Sequence, residues 1–229
     1  MPLKILCDFD GTISIADTTD AIFDRFAPSW LEIEALWEAG EIGPAECMRR
    51  QIELLDASLP ELDEALDELS IDPTFPAFTQ FCASSGIELI VVSDGVDYFI
   101  RRILQNAGLH GLSIRANRLI QLGDRKYTLS HPHKAQGCAS GAGTCKCRQA
   151  AIERTGRRTV LIGDGRSDFC VSRKADFVFA KKSLLKHTQE QGIDAFEYST
   201  FSDVQAVLEH LAWSQPKPVF ADSAVEAAA

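Results

Sequence analysis

The sequence predicts an α/β fold in which helices cover a parallel β-sheet and a helical insertion follows the first strand. Three runs, Lys4–Phe9, Glu88–Ser93 and Thr159–Gly163, are apolar and rich in β-forming residues. Continuous apolar runs are typical of strands that are buried on both faces of a parallel sheet. A polar cluster with glycine follows each run, and the carboxyl ends of such strands are where ligands bind. The three clusters are therefore candidates for one shared site.

The stretch between the first two runs predicts the insertion. Residues from Asp17 to Leu69 are typical of successive helices with acidic faces, and Gly40–Gly43 separates two of them. Ser58-Leu59-Pro60-Glu61 resembles a capping box with an early proline and predicts a helix over Glu61–Leu69. Phe75–Ser84 predicts a helix that leads back to the sheet. We therefore predict a core domain at 1–16 and 72–213, a cap domain at 17–71 and a flexible tail at 214–229.

The remainder of the core is expected to alternate helices with short strands. Leu112–Arg118 and Lys126–Leu129 predict a small antiparallel excursion that turns at Gly123-Asp124, and a loop follows over His131–Cys145. Helices are predicted over Tyr98–Ala107, Cys147–Thr155, Asp168–Lys174, Leu184–Gln189 and Phe201–Leu211, and a short strand over Asp176–Phe179.

Composition narrows the class of protein. The 229 residues include 23 basic and 33 acidic ones, giving a net charge of −10 without a broad basic stripe. This balance disfavours nucleic-acid binding, and the longest apolar stretch, around Leu89–Val92, is too short to span a membrane. The first residues lack the cleavage site of a signal peptide, and the seven cysteines are unevenly spaced. Both features favour a reducing compartment, so we expect a cytoplasmic protein.

Four aspartates follow two of the predicted strands. Asp8 and Asp10 are two residues apart, a spacing that directs both carboxylates to one side of a strand. Asp164 and Asp168 follow the third run. Converging carboxylates repel one another unless a cation lies between them, and an all-oxygen site with few protein ligands suits Mg²⁺. We predict one Mg²⁺ from these four acids; an Asp-Gly turn and a helix-capping Asp168 are the alternative interpretations.

Other polar residues at the same edge predict an anion pocket. Lys146 lies at the start of a predicted helix, where the helix dipole disfavours a cation, so it is either exposed or directed toward an anion. Ser93, with Asp94 beside it, offers a hydroxyl to a phosphate oxygen. An aspartate can attack phosphorus, and a second acid two residues on can protonate the leaving alcohol and then activate water. The set therefore favours phosphoryl transfer with a covalent intermediate.

These motifs resemble those of a known family. Asp8-Phe9-Asp10-Gly11-Thr12, Ser93, Lys146 and Asp164-Gly165-Arg166-Ser167-Asp168 resemble, in order and spacing, the four motifs of the haloacid dehalogenase superfamily of phosphatases. The resemblance implies a Rossmann-like core, and the insertion resembles the helical cap of the phosphoserine phosphatase-like branch. It implies that Asp8 is the nucleophile, that Asp10 is the acid and base, and that Ser93 and Lys146 hold phosphate. It further implies that Asp8, the Asp10 carbonyl and Asp164 bind Mg²⁺, supported by Asp168.

A finer resemblance concerns the substrate. Residues 17–48, 92–98 and 163–168 are similar to those of the methionine-salvage phosphatases, which act on 2-hydroxy-3-keto-5-methylthiopentenyl-1-phosphate. Phosphoserine phosphatases usually carry a cap glutamate that binds the substrate amine, and here Asp17 stands at the comparable position. Trp30 and Trp37 share a helical face and are expected to favour an apolar substrate end, with core packing as the alternative. Arg49 or Arg50 is expected to meet a polar or charged substrate end, with an exposed helix face as the alternative for either.

Several alternatives stay open at this point. A phosphomutase uses the same motifs and differs in its cap. A phosphorelay receiver domain is a switch that also uses an aspartate, a metal and a lysine, but it lacks the acid at Asp10 and an insertion of this size. His131, His133, Cys138, Cys145 and Cys147 are zinc-ligand types whose spacing matches no common zinc module, so a reduced loop or a disulfide is the other interpretation.

The expected partner is a small phosphorylated metabolite. A cap of the predicted size encloses the pocket, and the net charge of −10 repels extended polyanions such as nucleic acids. The sequence does not indicate an oligomeric state.

Overall fold

The computed structural model describes residues 2–152 and 156–213. Within them, seven strands form one sheet in the order β4-β3-β2-β1-β5-β6-β7. The strands are β1 (Leu3–Cys7), β2 (Glu88–Val96), β3 (Ser113–Gly123), β4 (Lys126–Ser130), β5 (Arg158–Gly163), β6 (Phe177–Ala180) and β7 (Phe196–Glu197). All neighbouring strands run parallel except β3 and β4, which are antiparallel. The predicted α/β fold is confirmed, whereas the tail predicted at 214–229 lies outside the described residues.

Helices cover both faces of the sheet. Five of them lie between β1 and β2, and the first four are called here the helical insertion: α1 (Thr18–Phe26), α2 (Trp30–Glu38), α3 (Pro44–Glu53) and α4 (Leu59–Asp67). The others are α5 (Phe75–Ser84), α6 (Asp97–Asn106), α7 (Lys146–Ala151), α8 (Phe169–Ser172), α9 (Lys182–Gln191) and α10 (Phe201–Trp213). A 3₁₀ turn at Arg166–Asp168 leads directly into α8.

The central strand shows why the apolar runs form this sheet. Ile5 and Cys7 of β1 belong to a core cluster on one face, together with buried residues of α5, α6 and α10. Leu6 belongs to a second cluster on the other face, together with residues of α7, α8 and α9. Successive strand residues point to opposite faces, so a strand buried on both sides needs an unbroken apolar run.

The insertion is anchored to the core through the β3–β4 hairpin. The Tyr127 hydroxyl on β4 donates to the Ala57 carbonyl at 2.8 Å. In the hairpin turn, the Arg125 guanidinium pairs with Asp56 at 2.6 Å and with Glu61 at 2.5 Å. The hairpin therefore holds the loop before α4 and the start of α4 against the sheet.

Several element boundaries differ from the prediction. The capping box at Ser58 is present, but α4 begins at Leu59 and not at Glu61, because Ser58 is the N-cap and Pro60 lies in the first turn. The predicted antiparallel excursion is a long strand, β3, whose first half pairs with β2 in the main sheet. The helix predicted over Asp168–Lys174 is shortened to α8 by the 3₁₀ turn. Strand β7 was not predicted, since two residues carry no periodic pattern.

Candidate active site

The three polar clusters meet at the carboxyl edge of the sheet. Asp8 directly follows β1, and its backbone N–H donates to the Ile162 carbonyl of β5 at 2.9 Å. Asp164 directly follows β5, and Ser93 lies on β2, which pairs with β1 on the other side. Parallel pairing in register thus brings together residues that are separated by more than 150 positions in the sequence.

Three carboxylates form a compact, buried cluster. Asp8, Asp164 and Asp168 each offer an oxygen within 4.8 Å of the others, and no second group with metal-ligand spacing occurs among the described residues. One buried oxygen of Asp168, Oδ2, has no hydrogen-bond partner in the described part of the chain. An unpaired buried carboxylate oxygen is costly, and a small all-oxygen donor set is what Mg²⁺ prefers. The cluster therefore fits a magnesium ion.

Lys146 neutralises part of this charge. It is the first residue of α7 and only 3 % exposed. Its Nζ lies 2.7 Å from Asp8 Oδ1 and 2.8 Å from Asp168 Oδ1, and it donates to the Ser167 hydroxyl at 2.8 Å. Burial lowers the pKa of Lys146, but the carboxylates of Asp168 and Asp8 outweigh burial and raise it overall. The alternative that Lys146 is exposed is wrong.

The Asp8 carboxylate is held in an unusual electrostatic environment. Oδ1 accepts a hydrogen bond from the Phe9 backbone N–H at 2.8 Å, and the residue is 6 % exposed. Burial and the charge of Asp168 raise the pKa of Asp8, and Lys146 opposes them. The site thus needs positive charge to keep Asp8 ionised.

Asp10 points away from the three-carboxylate cluster. Its Oδ1 accepts from the Thr18 backbone N–H at 3.0 Å and from the Thr18 hydroxyl, and its Oδ2 accepts from the Ser93 hydroxyl at 3.3 Å. The expectation that all four aspartate side chains converge is therefore corrected, because Thr18 and Ser93 orient the Asp10 carboxyl elsewhere. Burial and the nearby charge of Asp17 raise the pKa of Asp10 to about 7. A carboxyl with such a pKa can both donate and accept a proton near neutral pH.

Ser93 and Asp94 differ in how they are engaged. The Ser93 hydroxyl accepts from the Gly95 backbone N–H at 2.8 Å and borders the cavity next to Asp8. Asp94 Oδ1 accepts from the Thr144 backbone N–H at 2.9 Å, and its carbonyl accepts from Asn117. Asp94 therefore ties the His131–Cys145 loop to the end of β2 while it also lines the cavity.

Two glycines permit the close approach of the acidic side chains. Gly11 has φ +67°, and a Cβ there would collide with the Asp164 carboxylate. A Cβ on Gly163 would collide with the Asp168 carboxylate. Glycine at these two motif positions is required by the packing of the site itself.

A cavity of about 580 Å³ opens between this edge and the helical insertion. On the insertion side its apolar lining comprises Phe23, Trp37, Pro44, Cys47 and Met48, and its acidic lining comprises Asp17, Asp20 and Glu34. The Arg166 guanidinium lies over the Trp37 ring, 4.9 Å from the centroid. Burial, with the charges of Asp17, Glu34 and Asp24, raises the pKa of Asp20 to about 6.

Of the residues of the insertion that were predicted to bind substrate, two line the cavity and the others do not. Trp37 and Asp17 line the cavity, but Asp17 is also the N-cap of α1 and accepts from the backbone N–H groups of Thr19 and Asp20. Trp30 instead packs on Phe23, with ring centroids 5.8 Å apart, and its indole N–H donates to Asp24. Arg49 pairs with Glu46 at 2.7 Å and with Glu53 at 2.5 Å and does not line the cavity.

Lys182 also lies at this site, a position that the sequence did not predict. Its Nζ lies 3.0 Å from Asp164 Oδ2 and 3.2 Å from the Gly11 carbonyl oxygen. The signal was present, because Lys181 and Lys182 follow β6 at the same edge of the sheet as the other clusters.

The cysteine-rich loop does not assemble a metal site. His131 Nδ1 lies 2.7 Å from Asn117 Oδ1, and none of the loop histidines or cysteines joins a metal-spaced group among the described residues. All seven cysteines are free thiols. No helix in the described ranges is both long enough and apolar enough to cross a membrane.

Comparison with solved structures supports the fold. A phosphoserine phosphatase with an analogue of its phospho-aspartyl intermediate has a TM-score of 0.67 and 22% identity, and the match covers 91% of this chain and 98% of that one. A substrate-bound phosphoserine phosphatase complex has a TM-score of 0.67 and 20% identity, over 90% of this chain and 98% of that one.

Sequence comparison identifies the family. The sequence model of the family described as "Putative Phosphatase" matches residues 3–211. The 2-hydroxy-3-keto-5-methylthiopentenyl-1-phosphate phosphatase of Brevibacillus brevis is 33% identical over 218 residues, covering 91% of this chain and 96% of the relative. The protein of the same name from Geobacillus kaustophilus is 33% identical over 222 residues, with the same two coverages, 91% and 96%. The chain therefore belongs to the family described as "Putative Phosphatase", and it is a phosphatase that has the fold of the phosphoserine phosphatase structures.

Proposed function

We propose that this phosphatase hydrolyses a small phosphorylated metabolite, 2-hydroxy-3-keto-5-methylthiopentenyl-1-phosphate, in a magnesium-dependent reaction that passes through an aspartyl-phosphate. The observation that carries the proposal is the position of Asp8. Its carboxylate lines the cavity, lies 2.7 Å from the Lys146 ammonium and is flanked by Asp164 and Asp168. The proposed nucleophile thus borders the pocket together with Asp164, and the buried Lys146 ammonium and Asp168 carboxylate lie behind it.

In this proposal Asp8 is the nucleophile. One carboxylate oxygen attacks phosphorus, the bond to the substrate oxygen breaks, and the phosphoryl group is carried on Asp8 until water releases it. Lys146 neutralises negative charge on Asp8 and on the incoming phosphoryl group, which is the main requirement of this chemistry. The Ser93 hydroxyl and nearby backbone N–H groups hold the phosphate oxygens.

Asp10 moves the proton. Its carboxyl is held by Thr18 and Ser93 at the edge of the cavity, two residues beyond Asp8. It gives its proton to the leaving alcohol in the first step and takes one from the attacking water in the second. Fixing the carboxyl by hydrogen bonds keeps it aligned for both transfers.

The side chains of Asp8, Asp164 and Asp168, with the Asp10 carbonyl, would hold Mg²⁺. When bound, the ion neutralises charge on the transferring phosphoryl group. The cation also offsets the repulsion among the three carboxylates, which lie within 4.8 Å of one another.

The cavity supports a small substrate with an apolar end. We assign residues 17–71 to a cap domain and 1–16 with 72–213 to the core, so that the pocket lies between the two. Phe23, Trp37 and Met48 provide an apolar wall that suits a methylthio group. Proteins named for the methylthiopentenyl phosphate are 33% identical to this chain.

Phosphoserine is the second candidate, and one observation favours it. Asp20 and Glu34 line the cavity beside Asp17 and create an acidic wall that suits an amino group. Against it, the Asp17 carboxylate is already engaged as the N-cap of α1. The apolar and acidic walls therefore make opposite predictions for substrate preference.

Side-by-side kcat/KM values decide between the two. The methylthiopentenyl phosphate, phosphoserine and a phosphopeptide are each assayed with Mg²⁺ for release of inorganic phosphate. We expect the methylthiopentenyl phosphate to be preferred. A clear preference for phosphoserine or for the phosphopeptide would overturn the substrate assignment, and transfer of phosphate without release would indicate a phosphomutase.

A further inference from the structure

Two thiols lie in contact directly behind the active site. The Sγ atoms of Cys147 and Cys170 are 3.3 Å apart. Both residues are half-buried, so a small reagent can reach them, whereas Cys7 and Cys82 are enclosed in the core. The sequence grouped Cys147 with the cysteines of the preceding loop, but its contact partner comes from a different element, α8.

Each thiol is close in sequence to a residue of the site. Cys147 follows Lys146 in α7, and Cys170 lies two residues after Asp168 in the segment that becomes α8. Lys146 and Asp168 are themselves paired at 2.8 Å. The two short elements that carry the thiols therefore also carry the ammonium and one carboxylate of the proposed phosphate and metal site.

We propose that Cys147 and Cys170 are a thiol-oxidation site, and that the reversible disulfide between them lowers the phosphatase rate. The oxidant is a low-molecular-weight disulfide of the glutathione type. One protein thiolate attacks a sulfur of this reagent and expels one thiol, giving a mixed disulfide. The second protein thiolate attacks the protein sulfur of that mixed disulfide and expels the second thiol. The two cysteines lose two electrons and two protons, and the reagent becomes two thiols.

Geometry explains why the bond affects the rate. A disulfide has an S–S distance of about 2.05 Å, so the two sulfurs must approach by about 1.3 Å, starting from 3.3 Å. Helix α7 has six residues and α8 has four, and each begins at or beside a residue of the site. A shift of about 1 Å in a catalytic group can cost on the order of a hundredfold in rate. This effect on rate rests on the proposed role of Lys146, whereas formation of the disulfide does not.

The same thiols do not form a metal site in this structure. Zinc needs three or four ligands arranged around one point, and these cysteines join no metal-spaced group among the described residues. Cys145 interacts electrostatically with both thiols but forms no metal-spaced group with them among the described residues, so the direct contact between Cys147 and Cys170 favours disulfide formation over metal binding.

The test uses the full-length protein, oxidised glutathione and three serine variants. We expect oxidation to consume two of the seven thiols and to give one cross-linked peptide that joins Cys147 to Cys170, found by mass spectrometry. The rate of p-nitrophenyl phosphate hydrolysis should fall to about a tenth or less of the rate of the protein with reduced thiols. Dithiothreitol should restore it. Cys147→Ser and Cys170→Ser should keep the reduced rate and resist oxidation, and Cys147→Ala serves if the serine variant folds poorly. Cys138→Ser, a matched change on the loop, should remain sensitive.

Each contrary result is informative. A cross-link between Cys138 and Cys145, or glutathione adducts alone, would overturn the site. The Cys147–Cys170 cross-link with an unchanged rate would overturn its coupling to Lys146. Protection of these thiols by stoichiometric Zn²⁺ would identify a metal site instead. Thiol counts and peptide mapping do not depend on the substrate, so failure of the methylthiopentenyl phosphate assignment would leave this test intact.

Discussion

The carboxyl edge of the sheet and the helical insertion use their polar side chains differently. At the sheet edge Asp8, Lys146 and Asp168 contact one another across three separate elements. In the insertion, Asp17 caps its own helix and Arg49 pairs with Glu46 and Glu53 of its own helix. Charges that are buried together need a reason such as a ligand, whereas charges paired along a helix surface need none.

This difference suggests separate roles for the two regions, with the reaction at the sheet edge and substrate specificity in the insertion. The sheet edge holds buried carboxylates whose mutual repulsion is partly relieved by Lys146, so we propose that the reaction takes place there. The insertion contributes the shape of the cavity through a few side chains, chiefly Trp37, Phe23 and Met48. Substitutions in the two regions should therefore change different kinetic constants.

The largest effect is expected for Asp8, the proposed nucleophile. Asp8→Asn should abolish turnover, because an amide is a poor nucleophile and a weaker metal ligand. Asp194→Asn, at an exposed position, is the matched control and should leave kcat unchanged. Phosphate release is the measurement, and near-normal release by Asp8→Asn protein would rule out the covalent mechanism.

Removal of Mg²⁺ should have a comparable but reversible effect. Chelation should abolish activity, because Lys146 and Lys182 then offset only part of the repulsion among Asp8, Asp164 and Asp168. Added Mg²⁺ should restore activity and raise the Tm, since a ligand that binds only the folded state stabilises it. Ca²⁺ should substitute poorly because of its larger, looser coordination. Full activity after exhaustive chelation would contradict the site.

A smaller loss of activity is expected for Asp10, the proposed proton carrier. Asp10→Asn should lower kcat by roughly a hundredfold or more, the usual scale of general acid and base catalysis. Mg²⁺ affinity, followed through the Tm, should change little, because the Asp10 side chain lies outside the three-carboxylate cluster. A kcat close to that of the unmodified enzyme would remove Asp10 from the reaction.

Substitutions of two tryptophans in the insertion, Trp37 and Trp30, serve as a test and its matched control. Trp37→Leu should raise KM for the methylthiopentenyl phosphate about tenfold with little change in kcat, the scale of one lost apolar contact in a pocket. Trp30→Leu should instead lower the Tm, because Trp30 packs on Phe23 and does not line the cavity. Equal KM values for the two variants would contradict the assigned cavity wall.

The smallest effect is expected for Arg49. Arg49→Gln removes ion pairs with Glu46 and Glu53 on the surface of α3. Such pairs contribute about 0–1 kcal/mol to the free energy of unfolding, so urea denaturation should show a change within that range and kcat/KM should stay constant. A marked rise in KM would place Arg49 at the substrate after all.

The sequence predicted most of the fold and the centre of the site for identifiable reasons. Strands buried on both faces require unbroken apolar runs, and this made β1, β2 and β5 visible. Their parallel order follows from the intervening helices, and it brings the polar clusters to one edge. The sequence did not predict β7 or the pairing of the first half of β3 with β2. Both depend on a neighbouring strand that comes from elsewhere in the chain.

Side-chain direction separates the three aspartates that converge from the one that does not. Asp8, Asp164 and Asp168 were predicted to converge and do so. Asp10 was predicted to join them. The chain turns after β1, however, and the Thr18 backbone N–H binds the Asp10 carboxylate outside the three-carboxylate cluster. Lys182 follows β6 at the same edge of the sheet, but its approach to Asp164 was not predicted, because that approach depends on how β6 and α9 meet.

The sequence by itself determined the alternation of strands and helices, the polar clusters at the strand ends and the set of residue types available for phosphoryl transfer. These features depend on local pattern and on the free energy of burying apolar runs, so they can be read one segment at a time. Only the tertiary structure decided that Asp10 faces Thr18, that Trp37 and not Trp30 borders the cavity, and that Cys147 meets Cys170. Such contacts join residues far apart in the chain, and their geometry is set by the close packing of whole elements against one another.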